Sequence, residues 1–291
     1  MPGFRMTDRK EDAILVAPAL VLLAVVFLLP LGQIVMVAFQ GENGGISLAA
    51  FQRFLGDSYY LPVAFRTIRL SLLTTIICAV LGFPLAYLMA RLSSRWRLRL
   101  VTLVILPLMT SVVVRTFGWM VVLGRGGVIP LALWRLGLVD RNFTLMQTES
   151  AVVLGLSQVL LPFMTLSILG VVLRIDPRLE EAARTMGCGF GACLRHVVLP
   201  LAWPGVVAGS LLVFTLSASS FITPALLGGP RLPVMAASIY DSATKTLDWP
   251  FAAAQSIVLL IAILAILIPY IRLTGQSRGQ SRGQSKGRHH G

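Results

Sequence analysis

The sequence has few charged residues for its length. Of its 291 residues, 13% are Asp, Glu, Lys or Arg, whereas 56% are hydrophobic, and the mean hydropathy is +0.82. Ordinary soluble domains carry about 25% charged residues, so this chain departs far from soluble usage. A globule in water could not cover that much apolar surface. The composition therefore excludes an ordinary soluble domain and indicates an integral membrane protein.

Cysteine and histidine are also scarce, with three residues of each. Cys188 and Cys193 are not spaced as a CxxC pair, and His196 is the only histidine near them, so a zinc site lacks ligands. No HExxH pair occurs, and this absence argues against a membrane-embedded metalloenzyme. The chain has no GxxxxGK(S/T) phosphate loop either, so it is not itself an ATPase. We expect no metal, no catalytic residue and no cofactor in this chain.

Long apolar runs dominate what is present. A helix needs about 20 mostly apolar residues to cross the hydrocarbon core of a membrane. Five windows are long enough and contain no charged residue, and a sixth is interrupted only by Arg115. They predict six transmembrane helices, at about 13–39, 67–90, 100–123, 151–173, 198–222 and 250–271. The first run is longer than the core of a signal peptide, about 7 to 15 residues, so we expect an uncleaved anchor.

The six spans define one all-α transmembrane domain, residues 13–274, between two polar ends. Residues 1–12 form a short N-terminal segment. Residues 275–291 repeat Gly-Gln-Ser-Arg and are basic, a composition typical of a disordered tail. Such a tail either stays solvated without a role or is attracted to anionic membrane lipid.

The loops between spans contain further signals. We expect residues 40–66 and 124–149 to form two loops on the outer side. Val128 to Leu138 is apolar but too short to span, so it is expected to form a helix on the membrane surface or against the other helices. Thr223 to Pro233 contains two Gly and three Pro, which predict an irregular segment.

The net charge of +13 is distributed around the spans rather than on one soluble face. This distribution argues against a nucleic-acid partner. An even number of spans places both termini on one side, and placing them in the cytoplasm gives that side about twice as many Lys and Arg as the other. Much of this asymmetry comes from a loop without acidic residues that carries Arg91, Arg95, Arg97 and Arg99. The termini are therefore predicted to be cytoplasmic.

The segment 176–200, DPRLEEAARTMGCGFGACLRHVVLP, predicts a hairpin of two helices. Asp176 followed by Pro is typical of a helix N-cap and first position, and acidic residues near the start favour the helix dipole. Gly187 supplies a C-terminal stop. One apolar stripe has helical spacing before this glycine and another follows it. These stripes comprise Leu179, Ala182, Ala183 and Met186, then Phe190, Cys193, Leu194 and Val197.

The hairpin resembles the EAA loop of permeases of binding-protein-dependent ABC importers. Glu181-Ala182-Ala183 is followed after three residues by Gly187, and after nine more by Val197-x-Leu199-Pro200. Val197 stands where the family pattern usually has Ile. The resemblance implies a type I importer permease fold, in the bacterial inner membrane, with the hairpin as the coupling helix between helices 4 and 5.

The resemblance also implies partners. The hairpin would sit in a groove of an ATPase subunit, with Glu181 meeting a basic group there, and ATP and Mg would be bound by two such subunits. A second homologous permease chain and an external solute-binding protein would complete the importer. The residues implied in ATPase coupling are Glu180, Glu181, Ala182, Ala183, Gly187, Leu199 and Pro200.

Residues 106–130 and 219–230 are similar to the corresponding regions of spermidine/putrescine-type permeases. This resemblance implies a small polar solute, with a polyamine as one candidate. All twelve acidic residues lie outside the predicted spans, so no carboxylate is expected there to pair with an ammonium group. Candidate residues of the solute pathway or gate are Arg115, Phe117, Trp119, Phe221 and Thr223, whose aromatic members can offer cation-π contacts or simply pack.

Two other functional classes remain open at this point. A secondary transporter or channel would work without an ATPase, but it would usually show acidic residues inside the membrane or internal repeats. A membrane-embedded enzyme would need a nucleophile, a metal site or a pair of acids at the membrane face. The hairpin spacing favours the importer permease over both.

Overall fold

The computed structural model describes residues 9–41 and 45–275, and this part of the chain is helical without a regular strand. The N-terminal half contains α1 (Arg9–Ala38), α2 (Ala49–Gly56), α3 (Tyr60–Arg91), α4 (Ser94–Ile105), α5 (Val112–Leu123) and α6 (Val128–Arg135). The C-terminal half contains α7 (Glu149–Val172), α8 (Pro177–Thr185), α9 (Phe190–Cys193), α10 (Leu199–Ala218), α11 (Ile222–Leu227), α12 (Met235–Thr244) and α13 (Trp249–Gly275). Six segments of this described chain are long and apolar enough to cross a membrane, as the all-α fold class requires.

The described chain divides into two compact units. The first takes the chain up to Asp57 together with Ile239–Val258. In this unit Ala38 packs with Ala253 and Ala254, and Arg53 forms an ion pair of 2.8 Å with Asp248. Packing of small side chains thus joins α1 to α13, and the ion pair joins α2 to the residue before α13.

The second unit comprises Ser58–Ser238 and the chain from Leu259 onward. Its centre is formed by α3, α7 and α10, which pack along one another. Met164 of α7 is fully buried, and a Cβ added to Gly82 of α3 or to Gly209 of α10 would lie 3.0 Å or 2.7 Å from its side chain. Glycine at both positions thus lets three helices approach closely, as is common between helices in membranes.

The third predicted span is wrong in its bounds. Residues 100–123 do not form one helix, because α4 ends at Ile105 and a single 3-10 turn, Leu106–Met109, precedes α5. Pro107 lies in this turn. A proline has no N–H to donate to the carbonyl four residues earlier, and its ring clashes with that carbonyl, so the helix ends here. By length and composition, the candidate span here is instead Val112–Arg135, which combines α5 and α6.

Two prolines mark helix starts where irregular chain was expected. The helix α3 begins at Tyr60, seven residues before the predicted 67, and has Pro62 in its first turn. The helix α11 begins at Ile222, one residue before the segment predicted to be irregular, and continues into that segment with Pro224 in its first turn. The N–H groups of a first turn have no partner within the helix, so proline is tolerated there.

Some predictions concern parts of the chain that the structure leaves out. The expected disordered tail lies outside the described residues from position 276 onward, as does most of the N-terminal segment 1–12. The short helix expected between Val128 and Leu138 is α6.

Candidate functional site

The first arm of the hairpin is α8. Its start is capped, because the Arg178 N–H donates a hydrogen bond of 2.9 Å to the Asp176 side chain and Pro177 occupies the first helical position. Its end is a Schellman motif around Gly187, which has φ +83°. The Cys188 N–H donates to the Ala183 carbonyl at 3.1 Å, and the Gly187 N–H donates to the Arg184 carbonyl at 3.0 Å. Both caps are local and follow from the sequence.

The second arm is continuous with the fifth span rather than separate from it. The helix runs without interruption from Phe190 to Ala218 and includes a π-helical turn at Leu194–Val198. In that turn the Leu199 N–H donates to the Leu194 carbonyl, five residues earlier. Pro200 has no N–H for the usual helical bond, and the wider turn accommodates it. The hairpin is thereby built directly onto α10.

Most of α8 is exposed, with Glu180 buried and Ala183 half-buried. Met186 is 88% exposed and Leu179 is 48% exposed, while Glu181 and Ala182 on the same helix are also exposed. The exposed apolar side chains have helical spacing, and the Glu181 carboxylate is exposed on the same helix. This surface, called here the docking face, is formed by Leu179, Glu181, Ala182 and Met186.

The other residues implied in ATPase coupling lie outside the docking face and differ in their exposure. Ala183 is half-buried, and Gly187 is exposed at the chain reversal. Leu199 is half-buried and Pro200 is exposed, and both lie in the second arm. The EAA residues and the Leu-Pro pair therefore occupy the two different arms of the hairpin.

Glu180 lies about 100° around the helix from Glu181 and, unlike Glu181, is buried. Its residue exposure is 5%, and its carboxylate accepts a hydrogen bond of 2.7 Å from the Tyr87 hydroxyl. The other oxygen accepts from Arg91 Nε at 2.9 Å and from Arg91 Nη2. The family resemblance implied that Glu180, like Glu181, takes part in ATPase coupling. In the structure the Glu180 side chain contacts the end of α3 in the same chain.

Tyr87 and Arg91 were not among the predicted site residues. They lie four positions apart, so they share one face of α3 at its last turns. The Tyr87 ring also meets the Phe190 ring edge-on at 6.2 Å, and the Arg184 guanidinium lies 6.0 Å from the Phe190 ring. The sequence did contain a signal for this contact, namely the four-residue spacing of Tyr87 and Arg91 and the adjacent acidic residues Glu180 and Glu181. That signal does not show which of the two acids faces inward.

The predicted pathway residues lie on α5 and around the start of α11. Phe117 is 52% exposed on α5, whereas Trp119 packs against a buried cluster around Leu123 and Val152. Phe221 is half-buried and precedes α11.

Thr223 is a packing residue of the second unit. It is 2% exposed, and its hydroxyl lies 3.4 Å from that of Thr116 on α5. A Cβ added to Gly155 of α7 would lie 2.9 Å from Thr223 Cγ2 and 2.5 Å from Leu227 Cδ1. The helix α11 is therefore seated closely between α5 and α7.

Arg115 lies in the first turn of α5, shortly after the 3-10 turn at Leu106–Met109. Its Nη2 donates to the Thr110 carbonyl at 3.2 Å. Within the described part of the chain, its buried Nε and Nη1 have no hydrogen-bond partner. Gln158 Oε1 on α7 is likewise buried without a partner among these residues. Both groups have unused hydrogen-bonding capacity that water or a polar solute can satisfy.

Comparison with known proteins assigns this architecture to a class. A profile of the family described as "Binding-protein-dependent transport system inner membrane component" matches residues 82–272, which include the hairpin. Six membrane-spanning helices with a capped hairpin between the fourth and fifth define a permease of an ABC importer. The chain belongs to this family of inner membrane components.

Curated relatives support the same family. The chain is 34% identical over 218 residues to the spermidine/putrescine transport system permease protein PotB of Haemophilus influenzae, a match that covers 75% of this chain and 76% of that protein. PotB of Escherichia coli K12 is 34% identical over 74% of this chain and 78% of its own length. The molybdenum transport system permease protein ModB of Mycobacterium bovis is 30% identical over 67% of this chain and 72% of its length.

Solved structures show the same fold. A chain of a bacterial alginate ABC transporter in complex with an alginate pentasaccharide-bound periplasmic protein aligns with a TM-score of 0.77 at 19% identity. The alignment covers 93% of this chain and 96% of that one. The prediction of an importer permease fold is confirmed, and the chain is a multi-pass inner membrane permease rather than an enzyme. A secondary transporter acting alone is not favoured.

Proposed function

We propose that this chain forms, together with a second homologous permease chain, the membrane pathway of an ATP-driven importer for polyamines of the spermidine/putrescine type. The observation that carries the proposal is the 34% identity to PotB proteins over three quarters of both chains. The energy source is two ATPase subunits that bind ATP and Mg. An external binding protein delivers the solute.

The docking face on α8 is the proposed contact with an ATPase subunit. Leu179 and Met186 supply exposed apolar area, and Glu181 supplies a charge that a basic group of the partner can pair with. Ala182 lies between them and allows close approach. The hairpin and both termini are then on the cytoplasmic side, in agreement with the distribution of Lys and Arg.

Movement of the hairpin is proposed to reach the membrane spans through its second arm. Since Phe190–Ala218 is one continuous helix, a displacement of the hairpin is passed to the fifth span as a rigid-body movement. The close contacts of Gly209 and Gly82 with Met164 then transmit that movement to α7 and α3. Closure of the ATPase subunits would in this way switch the pathway between inward-facing and outward-facing states.

Discrimination between solutes is proposed to reside mainly in the binding protein. No Asp or Glu occurs in α3, α5, α10 or α13, and Glu149 is only the first residue of α7. Within the described residues, the six candidate spans therefore offer a polyamine no carboxylate beyond that of Glu149 at the start of α7. Aromatic faces such as that of the exposed Phe117 can contribute about 0.5–2 kcal/mol each through cation-π contacts.

The proposal is tested by reconstituting both permease chains and the ATPase in proteoliposomes with the binding protein of the same operon. We expect ATP-dependent uptake of radiolabelled spermidine or putrescine, which requires the binding protein. Molybdate serves as the comparison solute because ModB is also a relative. ATP-dependent uptake of molybdate without uptake of either polyamine would contradict the solute assignment. Absence of the ATPase from the purified complex would contradict the importer mechanism.

A further inference from the structure

Glu180 is a buried charge on a short helix whose neighbouring residues are exposed. It is 5% exposed, while Leu179 before it is 48% exposed and Glu181 after it is exposed. Its side-chain hydrogen bonds run to α3, from the Tyr87 hydroxyl to one oxygen and from Arg91 to the other. A buried carboxylate is costly unless it is paired and hydrogen-bonded, and here both conditions are met.

Two side chains of α3, Arg91 and Tyr87, form specific hydrogen bonds with the Glu180 carboxylate. Arg91 approaches with Nε and Nη2, and its guanidinium also lies 5.6 Å from the centre of the Tyr87 ring. Tyr87 contacts both arms of the hairpin, since its hydroxyl binds Glu180 and its ring meets Phe190 at 6.2 Å. These contacts hold the end of α3 against the hairpin.

The same residue is also attached to the second arm. The Cys193 thiol is buried and donates to the Glu180 carbonyl at 4.0 Å. Glu180 thus contacts α9 through its backbone carbonyl and α3 through its carboxylate, while the docking-face residues of the same helix are exposed. Glu180 is therefore one residue of α8 through which a force on the docking face has a direct path to both α9 and α3.

We infer that Glu180 is a positioning residue which, with Arg91 and Tyr87, locks the coupling helix to the second span, so that docking movements displace α3 as well as α10. The inference rests on the proposed function, because it requires an ATPase subunit on the docking face. It assigns the two adjacent glutamates separate tasks, with Glu181 in docking and Glu180 in transmission. Without the lock, an ATPase subunit still docks, but the second span no longer follows.

The test compares Glu180→Gln with Glu181→Gln, which is the same chemical change one residue away on the exposed face. Both are made in the full complex in proteoliposomes. Three quantities are measured: the amount of ATPase retained through affinity purification, the rate of ATP hydrolysis, and the solute taken up per ATP hydrolysed. Glu180→Gln is expected to retain the ATPase while uptake per ATP falls roughly tenfold, within the range of about 2- to 30-fold that single residues in coupling networks show. Glu181→Gln is expected to lower ATPase retention.

A rescue experiment distinguishes transmission from a general loss of structure. Arg91→Glu alone should lower uptake per ATP as Glu180→Gln does, and combining it with Glu180→Arg should restore most of the uptake because the ion pair is re-formed with exchanged charges. Tyr87→Phe removes only the hydroxyl and is the milder variant should Glu180→Gln fail to fold. It is expected to lower uptake per ATP by about two- to fivefold.

Two results would overturn the inference. One is loss of the ATPase from Glu180→Gln to the same extent as from Glu181→Gln, which would place Glu180 at the ATPase interface. The other is unchanged uptake per ATP in Glu180→Gln and Tyr87→Phe. Failure of the unsubstituted permease pair to retain any ATPase is a different outcome, since it contradicts the proposed function itself.

Discussion

Gly187 offers a prediction whose magnitude can be worked out from the backbone alone. Its φ is +83°, and a Cβ built on it would meet no atom within 4 Å. Substitution therefore causes no clash, and the whole cost arises from placing an L-residue in the left-handed region. That cost is about 1–2 kcal/mol for an ordinary residue, less for Asn and more for a β-branched residue.

The consequence should appear in binding of the ATPase. Gly187 ends α8 through the Schellman bonds of Gly187 and Cys188, so a residue that avoids this conformation reorients the docking face. If the full cost is taken from binding, affinity for the ATPase falls by about 5- to 30-fold for Gly187→Ala. We expect the order of affinities to be Gly, Asn, Ala and then Val.

The assay is titration of purified ATPase onto the permease pair in nanodiscs, with affinity measured for each variant. Gly189→Ala is the matched control, because Gly189 has φ −66° and also meets nothing within 4 Å of an added Cβ. It should bind as the unsubstituted chain does. Equal affinities for Gly187→Val and the unsubstituted chain, or an Asn variant as weak as Val, would refute the reasoning.

Two further predictions concern packing and orientation. Gly155→Val should lower the melting temperature of the detergent-solubilised chain, because overpacking against α11 costs about 1–3 kcal/mol. Gly170→Ala is the control and should not lower it, since a Cβ added to Gly170 meets nothing within 4 Å. Equal melting temperatures for the two variants would mean that α11 is not seated on α7. A membrane-impermeant maleimide should label Cys188 but not the buried Cys78 or Cys193, and only in inverted vesicles without bound ATPase. Labelling in right-side-out vesicles would contradict a cytoplasmic hairpin.

Local chemistry made much of the hairpin predictable. Asp176, Pro177 and Gly187 act through their own backbone geometry, and the structure has the expected cap, first position and left-handed turn at these residues. The exposed stripe also follows from helical spacing once the helix is known. Interactions within a few residues are encoded locally, so a sequence pattern is sufficient to find them.

Helix ends near proline were harder to predict. Pro62 and Pro224 lie in first turns, whereas Pro107 ends a helix, although all three occur beside apolar runs. A proline is compatible with either outcome, and what decides is whether the preceding residues are already helical. That information is not local to the proline, so the third span was placed wrongly.

The sequence by itself determined that the chain crosses a membrane six times and presents a capped hairpin between the fourth and fifth spans, because apolar length and capping are properties of short segments. The tertiary structure decided which of two adjacent acids faces inward. Glu180 and Glu181 have the same chemistry and differ by one step of about 100° around the helix. Only the position of Arg91 and Tyr87, about 90 residues away along the chain, makes one a buried ion-pair partner and leaves the other exposed.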